Sequence, residues 1–317
     1  MLGRGYEKAG RRCGDDGATQ HARGATATLP LALLAMALTT CGWEPPGSSS
    51  PPSGNLGAAP ASAPSSAGSP STGDGLQPPG YKLVWRDEFD GGTLDASRWS
   101  ASSGARRDAL NTPDAVAVAN GSLVITTYIQ GGVPLTGFLS TEGKFDVTYG
   151  YVEARIRLHE AAGTWCAFWI NSPTNGTPLN DPGTAGTEID VLEHRYVDQY
   201  GNDVSDVDAI NVNWNGYGAD HTFEQRTVTG SPSLQDNWHN YGVLWTPTGY
   251  TFYIDGAPVW TPGADVPVSH RSENLYLTCE VQNNSWAGSV PPGGYGSRDT
   301  SANRMEVDWV RVWQPSP

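Results

Sequence analysis

Short runs in which apolar and polar residues alternate recur along residues 81–317, separated by clusters of Gly, Pro, Asn and Asp. No stretch carries the apolar spacing of a long helix. A period of two marks half-buried strands, and many such runs with turn residues between them predict an all-β sandwich or jelly roll. Ile210-Asn211-Val212-Asn213-Trp214 shows the alternation plainly. Glu188-Ile189-Asp190-Val191-Leu192-Glu193 departs from it, placing three carboxylates among three aliphatics. In a regular strand Glu188, Asp190 and Leu192 share one face and Glu193 points to the other. One extra residue, a β-bulge at Val191-Leu192, turns Glu193 back onto the face of Glu188 and Asp190 and sends all three aliphatics into the core. At about 3.3 Å per residue, the outer two Glu backbones then lie on the order of 13 Å apart. Leaning side chains can close that gap to roughly the 5–5.5 Å used by retaining glycosidases.

An alternative reading of the hexapeptide is a charged edge strand that discourages sheet pairing. Its neighbours argue for chemistry instead. Trp165 and Trp169 lie upstream at a spacing that puts both on one strand face, and Asn211 and Asn213 follow downstream. Aromatic faces, amides and carboxylates together make the usual lining of a sugar groove. Either Trp alone is equally compatible with a core position between sheets.

The hexapeptide resembles the active-site strand of glycoside hydrolase family 16 in its bulged Glu-x-Asp-x-x-Glu form, as in laminarinase-like members. Further blocks follow the family's order over about residues 81–315. They are Leu83–Gly91 with Trp99, Thr141–Phe145, Tyr149–Arg155, Trp165–Trp169, His239–Trp245, Tyr250–Gly256 and Val307–Trp313. The resemblance implies a concanavalin A-like β-jelly roll of two antiparallel sheets with a concave substrate groove. It implies Glu188 as nucleophile and Glu193 as general acid/base of a retaining double displacement, with Asp190 between them shaping the proton distribution. It makes Trp165, Trp169, Asn213, Gln282 and Trp286 candidates for substrate contact. It places Glu88, the carbonyl of Gly121 and Asp308 where many members hold a structural Ca²⁺, and it implies no cofactor for catalysis. His194 and His239 are expected in structural roles.

Departures from the laminarinase-like pattern bear on substrate. The run Leu135–Ser140 lacks the Arg usual there and carries Phe138; Asn213 stands where a His is common; Glu280 puts a carboxylate into a strand-like run. The leading expectation is an endo-acting β-1,3- or β-1,3-1,4-glucanase. The alternatives are a red-algal galactan hydrolase or transglycosylase on the same fold, and a non-catalytic lectin-like protein. The intact carboxylate trio argues against the last, because a binder needs neither a nucleophile nor a proton donor.

Composition adds context. The 317 residues carry a formal charge of −14; without the first 40 residues, 14 basic and 30 acidic side chains leave −16. Such a chain is repelled by nucleic acid and anionic membranes, which favours a neutral polysaccharide over a sulfated one. Residues 29–38 form an apolar stretch too short to span a bilayer and resembling a secretory signal. It runs into Leu38-Thr39-Thr40-Cys41, which resembles a bacterial lipobox with Cys41 as the lipidated residue; an ordinary signal peptide cut nearby is the alternative. Residues 1–41 are thus expected as leader, the Pro/Ser/Gly/Ala-rich 42–80 as a disordered tether, and 81–317 as the catalytic domain. The expected product is an exported monomer that meets a membrane only through its lipid. Cys166 and Cys279 can pair if their strands are neighbours; two separate buried thiols are the alternative.

Overall fold

The computed structural model describes residues 75–230 and 233–317. The expected leader, with Cys41, lies outside the described residues, as does most of the expected tether. Among the described residues, no helix is long and apolar enough to cross a membrane.

Two antiparallel sheets face each other across one apolar core. The first has seven strands in the order Thr222–Thr229, Val207–Trp214, Glu188–Arg195, Thr164–Asn171, Asn274–Val281, Phe138–Ser140 and Ser100–Ala101. The second runs Ala257–Trp260, Gly249–Ile254, Trp238–Thr246, Gly150–His159, Arg304–Pro315, Ser122–Thr126 and Val116–Ala119, with Tyr81–Asp87 also paired to Arg304–Pro315. The jelly-roll expectation holds. A small four-stranded sheet (Gly104–Arg106, Ala109–Asn111, Val133–Thr136, Tyr128–Gln130) lies apart from both in its pairing.

Alternation dictates the core. Phe168, Ile170, Ile189, Ile210, Val212, Leu275 and Leu277 point inward from the seven-stranded sheet, against Val152, Ala154, Ile156, Val243, Trp245, Val307 and Val310 from the other. Each buried aliphatic or aromatic side chain contributes about 1.5–3 kcal/mol, so this face determines which side of each strand meets the groove. Cys166 and Cys279 sit opposite each other on neighbouring strands, with Cα atoms 4.0 Å apart, and form a disulfide. This resolves the alternative left open by the sequence. The bond joins two central strands whose outer faces carry Trp165 and Glu280, themselves a register pair.

Contacts with the second sheet begin before residue 81. Leu76 packs with Tyr81, Tyr151 and Trp309 on the outer face of the second sheet, and its backbone N–H donates to Glu153 Oε2 at 3.0 Å. An apolar side chain with a buried acceptor beneath it can dock where composition alone suggests a tether.

Candidate active site

The bulge is present. Phe168 pairs with Leu192 and Trp169 with Asp190, so Val191 is the extra residue. Ile189, Val191 and Leu192 are all buried in the core, with at most 2 % exposure. Glu188, Asp190 and Glu193 consequently line one pocket on the outer face, together with Trp165, Trp169, Tyr217, Thr278 and Glu280. Beyond the bulge, Asp208 Oδ1 accepts the Glu193 backbone N–H at 3.0 Å, which pins the residue that the extra Val191 reorients.

Amides hold the carboxylates. Asn213 Nδ2 donates to Asp190 Oδ2 at 2.7 Å and to Glu188 Oε1 at 3.3 Å. Asn211 Nδ2 donates to Glu193 Oε2 at 2.9 Å. The Tyr217 hydroxyl and Asn171 Nδ2, the latter at 3.2 Å, both donate to Glu188 Oε2. Burial pushes the Glu188 carboxyl up to about 7, against the opposing pull of the Tyr217 hydrogen bond. Burial and then the charges of Glu188 and Glu280 push Glu193 up to about 8. Asp190, buried between two like charges, lies well above the usual carboxylate range. Three carboxyl groups that cannot all ionise together share protons, so one can donate a proton while another attacks or accepts.

Aromatic rings line the groove beside them. Trp169 stacks on Tyr276 with centroids 4.3 Å apart and 22° between planes, and its indole N–H donates to Thr278 Oγ1 at 3.1 Å. Phe138 meets both rings edge-on. Trp165 meets Trp286 edge-on at 5.6 Å, and Arg195 lies 4.2 Å over the Trp286 ring. Both Trp165 and Trp169 thus belong to the groove face. Trp286 joins the site through Trp165. Gln282 follows the Asn274–Val281 strand, where its backbone N–H donates to Gly163, and it does not line the pocket around the carboxylates. Asn213 has little left to offer a sugar: its amide holds two carboxylates and its Oδ1 accepts from His221 Nε2 at 3.1 Å.

His194 points away from the pocket. It is fully buried and ion-paired to Glu160, and its Nε2 donates to Ser205 O at 2.9 Å. His239, 2 % exposed, pairs with Asp255 Oδ2 at 2.6 Å. Both serve structure, as expected from their positions.

The expected calcium ligands do not fit a cation. Arg311 holds Glu88 through two hydrogen bonds of 2.9 and 2.8 Å, and Arg155 holds Asp308 at 2.7 Å. Gly121 forms the tight turn before Ser122–Thr126, with φ of +76°. Guanidinium groups already neutralise both carboxylates, whereas calcium needs their oxygens free. Among the described residues, no three His, Cys, Asp or Glu side chains converge as a metal site.

Sequence reasoning missed Arg106, Arg107 and Tyr217 among the lining residues. Arg106, the last residue of the Gly104–Arg106 strand, and Arg107, in the turn that follows, both pair with Glu280, Arg106 at 2.7 Å. Arg106 also lies 5.2 Å over Phe138, and Arg107 4.9 Å over Trp165. A guanidinium therefore reaches the Phe138 position from the end of a strand some 30 residues upstream in the chain. Tyr217 sits in Asn215-Gly216-Tyr217-Gly218; an aromatic residue between glycines was its only sequence signal.

Fold and site together define a jelly-roll sandwich whose outer face carries a carboxylate-lined, aromatic-walled groove. Residues 84–315 match the family model described as "Beta-porphyranase A-D, GH16 domain". The chain belongs to glycoside hydrolase family 16. It is 28% identical over 258 residues to a keratan-sulfate endo-1,4-beta-galactosidase of Sphingobacterium multivorum, covering 74% of this chain and 55% of that protein. It is 30% identical over 180 residues to an endo-1,3-1,4-beta-glycanase of Rhizobium meliloti, covering 56% of this chain and 33% of that protein. The chain thus spans a third to about half of the length of these curated relatives. An endo-beta-1,3-glucanase from Pyrococcus furiosus shares the fold, with a TM-score of 0.60, 23% identity and coverage of 74% of this chain and 94% of that one.

Proposed function

We propose that this protein is an endo-acting, retaining β-glycan hydrolase that uses Glu188 as nucleophile and Glu193 as acid/base. The observation that carries the reading is the Val191 bulge, which puts Glu188, Asp190 and Glu193 on one amide-braced face inside an aromatic groove. Glu193, whose carboxyl is pushed upward by burial and by the Glu188 charge, protonates the leaving glycosidic oxygen. Glu188 attacks the anomeric carbon, and the ionised Glu193 then activates water against the glycosyl-enzyme. Asp190 completes the proton-sharing set. Every step uses side chains of this chain.

A β-1,3- or β-1,3-1,4-glucan is the first substrate reading, supported by the glycanase relative. A galactan is the second, supported by the family model's description and by two guanidinium groups in the groove of an acidic protein. Reducing-end release from laminarin, lichenan, agarose, porphyran and xyloglucan separates the two. The expected result for Glu188→Gln is loss of turnover with glycan binding retained; near-normal rates in that variant would sink the assignment. Trp165, Trp169 and Trp286 are proposed to stack on sugar rings.

Export and lipidation are proposed from residues 29–41. Mass analysis of the mature N-terminus in a bacterial host with lipoprotein processing tests this: a diacylated Cys41 is expected, an unmodified N-terminus cut nearby refutes lipidation, and an uncleaved chain refutes export.

A further inference from the structure

Glu188 presents two chemically unequal oxygens. Oε2 accepts from the Tyr217 hydroxyl and from Asn171 Nδ2, whereas among the described residues Oε1 accepts only from Asn213 at 3.3 Å, a long bond from an amide shared with Asp190. We propose that Tyr217 is a positioning residue that locks Oε2 and thereby selects Oε1 as the attacking atom. The proposal rests on Glu188 being the nucleophile.

The placement of Tyr217 is built into the fold. Tyr217 is largely exposed as a residue, at 66 %, yet its hydroxyl reaches Glu188 in the groove. Asn215 and Gly216 have successive positive φ values of 65° and 70°, which turn the chain sharply just after the Val207–Trp214 strand. Gly216 then packs backbone to backbone on Gly176, where a Cβ on Gly176 would meet Gly216 Cα at 2.7 Å. Asn175 ties the two loops together: its Oδ1 accepts the Gly216 N–H at 3.2 Å, and its Nδ2 donates to Asn171 Oδ1 at 3.4 Å. Asn171 in turn donates to the Tyr217 oxygen at 2.8 Å. One amide therefore braces both the tyrosine and the carboxylate oxygen that the tyrosine holds.

The chemistry follows from the lone pairs. An Oε1 lone pair forms the new bond to the anomeric carbon while the glycosidic C–O bond breaks. That bond's electron pair goes to the leaving oxygen, which takes the proton from Glu193. Glu188 becomes a neutral ester with Oε2 as its carbonyl oxygen, still held by Tyr217. The phenol keeps its proton throughout: burial of the hydroxyl and then the Glu188 charge hold it well above the ordinary tyrosine range. The other charged or titratable groups around Glu188 are Asp190 and Glu193 on its own strand, Glu280 with Arg106 and Arg107 across the groove, and Glu273 and Tyr276 toward the Asn274–Val281 strand. His221 meets it only through Asn213. None of these donates a hydrogen bond to Oε2.

Tyr217→Phe tests the assignment in the full chain, assayed on whichever panel polysaccharide the wild type cleaves. Loss of a hydrogen bond to a charged group predicts a fall in kcat of about 10- to 100-fold with little change in KM. The acidic limb of the pH profile moves to higher pH, because the lost donor favoured the ionised carboxylate. Asn171→Ala, which removes the other Oε2 donor, shifts that limb the same way. Unchanged kcat and an unmoved acidic limb in Tyr217→Phe, with normal melting, overturn the proposal. Glu188→Gln separates the two failures. If it is inactive while Tyr217→Phe behaves as wild type, only the tyrosine role falls; if it stays active, the nucleophile assignment falls and this inference with it.

Discussion

Glu280→Gln changes one charge in the groove at nearly constant shape. Glu280 is 7 % exposed and clamped by Arg106 and Arg107. The strand register places it relative to Glu193, which pairs with Ala167, which pairs with Thr278, two residues from Glu280. Two strand spacings of about 4.8 Å and two residues of about 3.3 Å make the backbones roughly 12 Å apart. At an effective dielectric near 20, like charges at that distance repel by about 1.4 kcal/mol, or about one pH unit. Glu280 raises both Glu188 and Glu193. Removing its charge therefore lowers both, and leaves the two guanidinium groups uncompensated, which acts in the same direction. The expected outcome is a pH profile of kcat/KM displaced to lower pH on both limbs, by up to about one unit at low salt and less at high salt. The amide oxygen can still accept from an arginine, so the turn carrying Arg106 and Arg107 is retained. Limbs that stay in place, or that move to higher pH, would refute the electrostatic account of the site.

Two further outcomes are expected. The double variant Cys166→Ala/Cys279→Ala opens a link across a separation of 113 residues and should cost about 2–5 kcal/mol, read as a lower midpoint in denaturant; an unchanged midpoint contradicts a stabilising bond. Trp169→Ala, introduced into the inactive Glu188→Gln chain, should weaken glycan binding by roughly 10-fold, in line with the loss of one stacking aromatic at a binding site; titration calorimetry showing an unchanged Kd would remove Trp169 from the sugar-binding surface.

The sequence by itself determined which residues face the core and, with them, the chemistry. Strand side chains alternate, so a single frame shift in Glu188–Glu193 was enough to imply the Val191-Leu192 bulge, the buried aliphatics and the shared face of the three acids. That Trp165 and Trp169 share a face followed from the same period-two logic, while the choice of groove over core for that face did not. What alternation cannot say is which strands become neighbours or which loops fold over them. Only the tertiary structure joined Cys166 to Cys279 across 113 residues and brought Arg106 and Arg107 onto Glu280. Only it turned Asn213 from an expected sugar contact into a brace for Asp190 and Glu188. Only it set guanidinium partners against two of the expected calcium ligands: Glu88 and Asp308 suit a cation by residue type, but Arg311 and Arg155 lie against them. Tyr217 shows the limit most clearly. Its place at the nucleophile depends on two loops meeting at Gly176 and Gly216, a contact between segments about 40 residues apart that leaves no periodic trace in the chain.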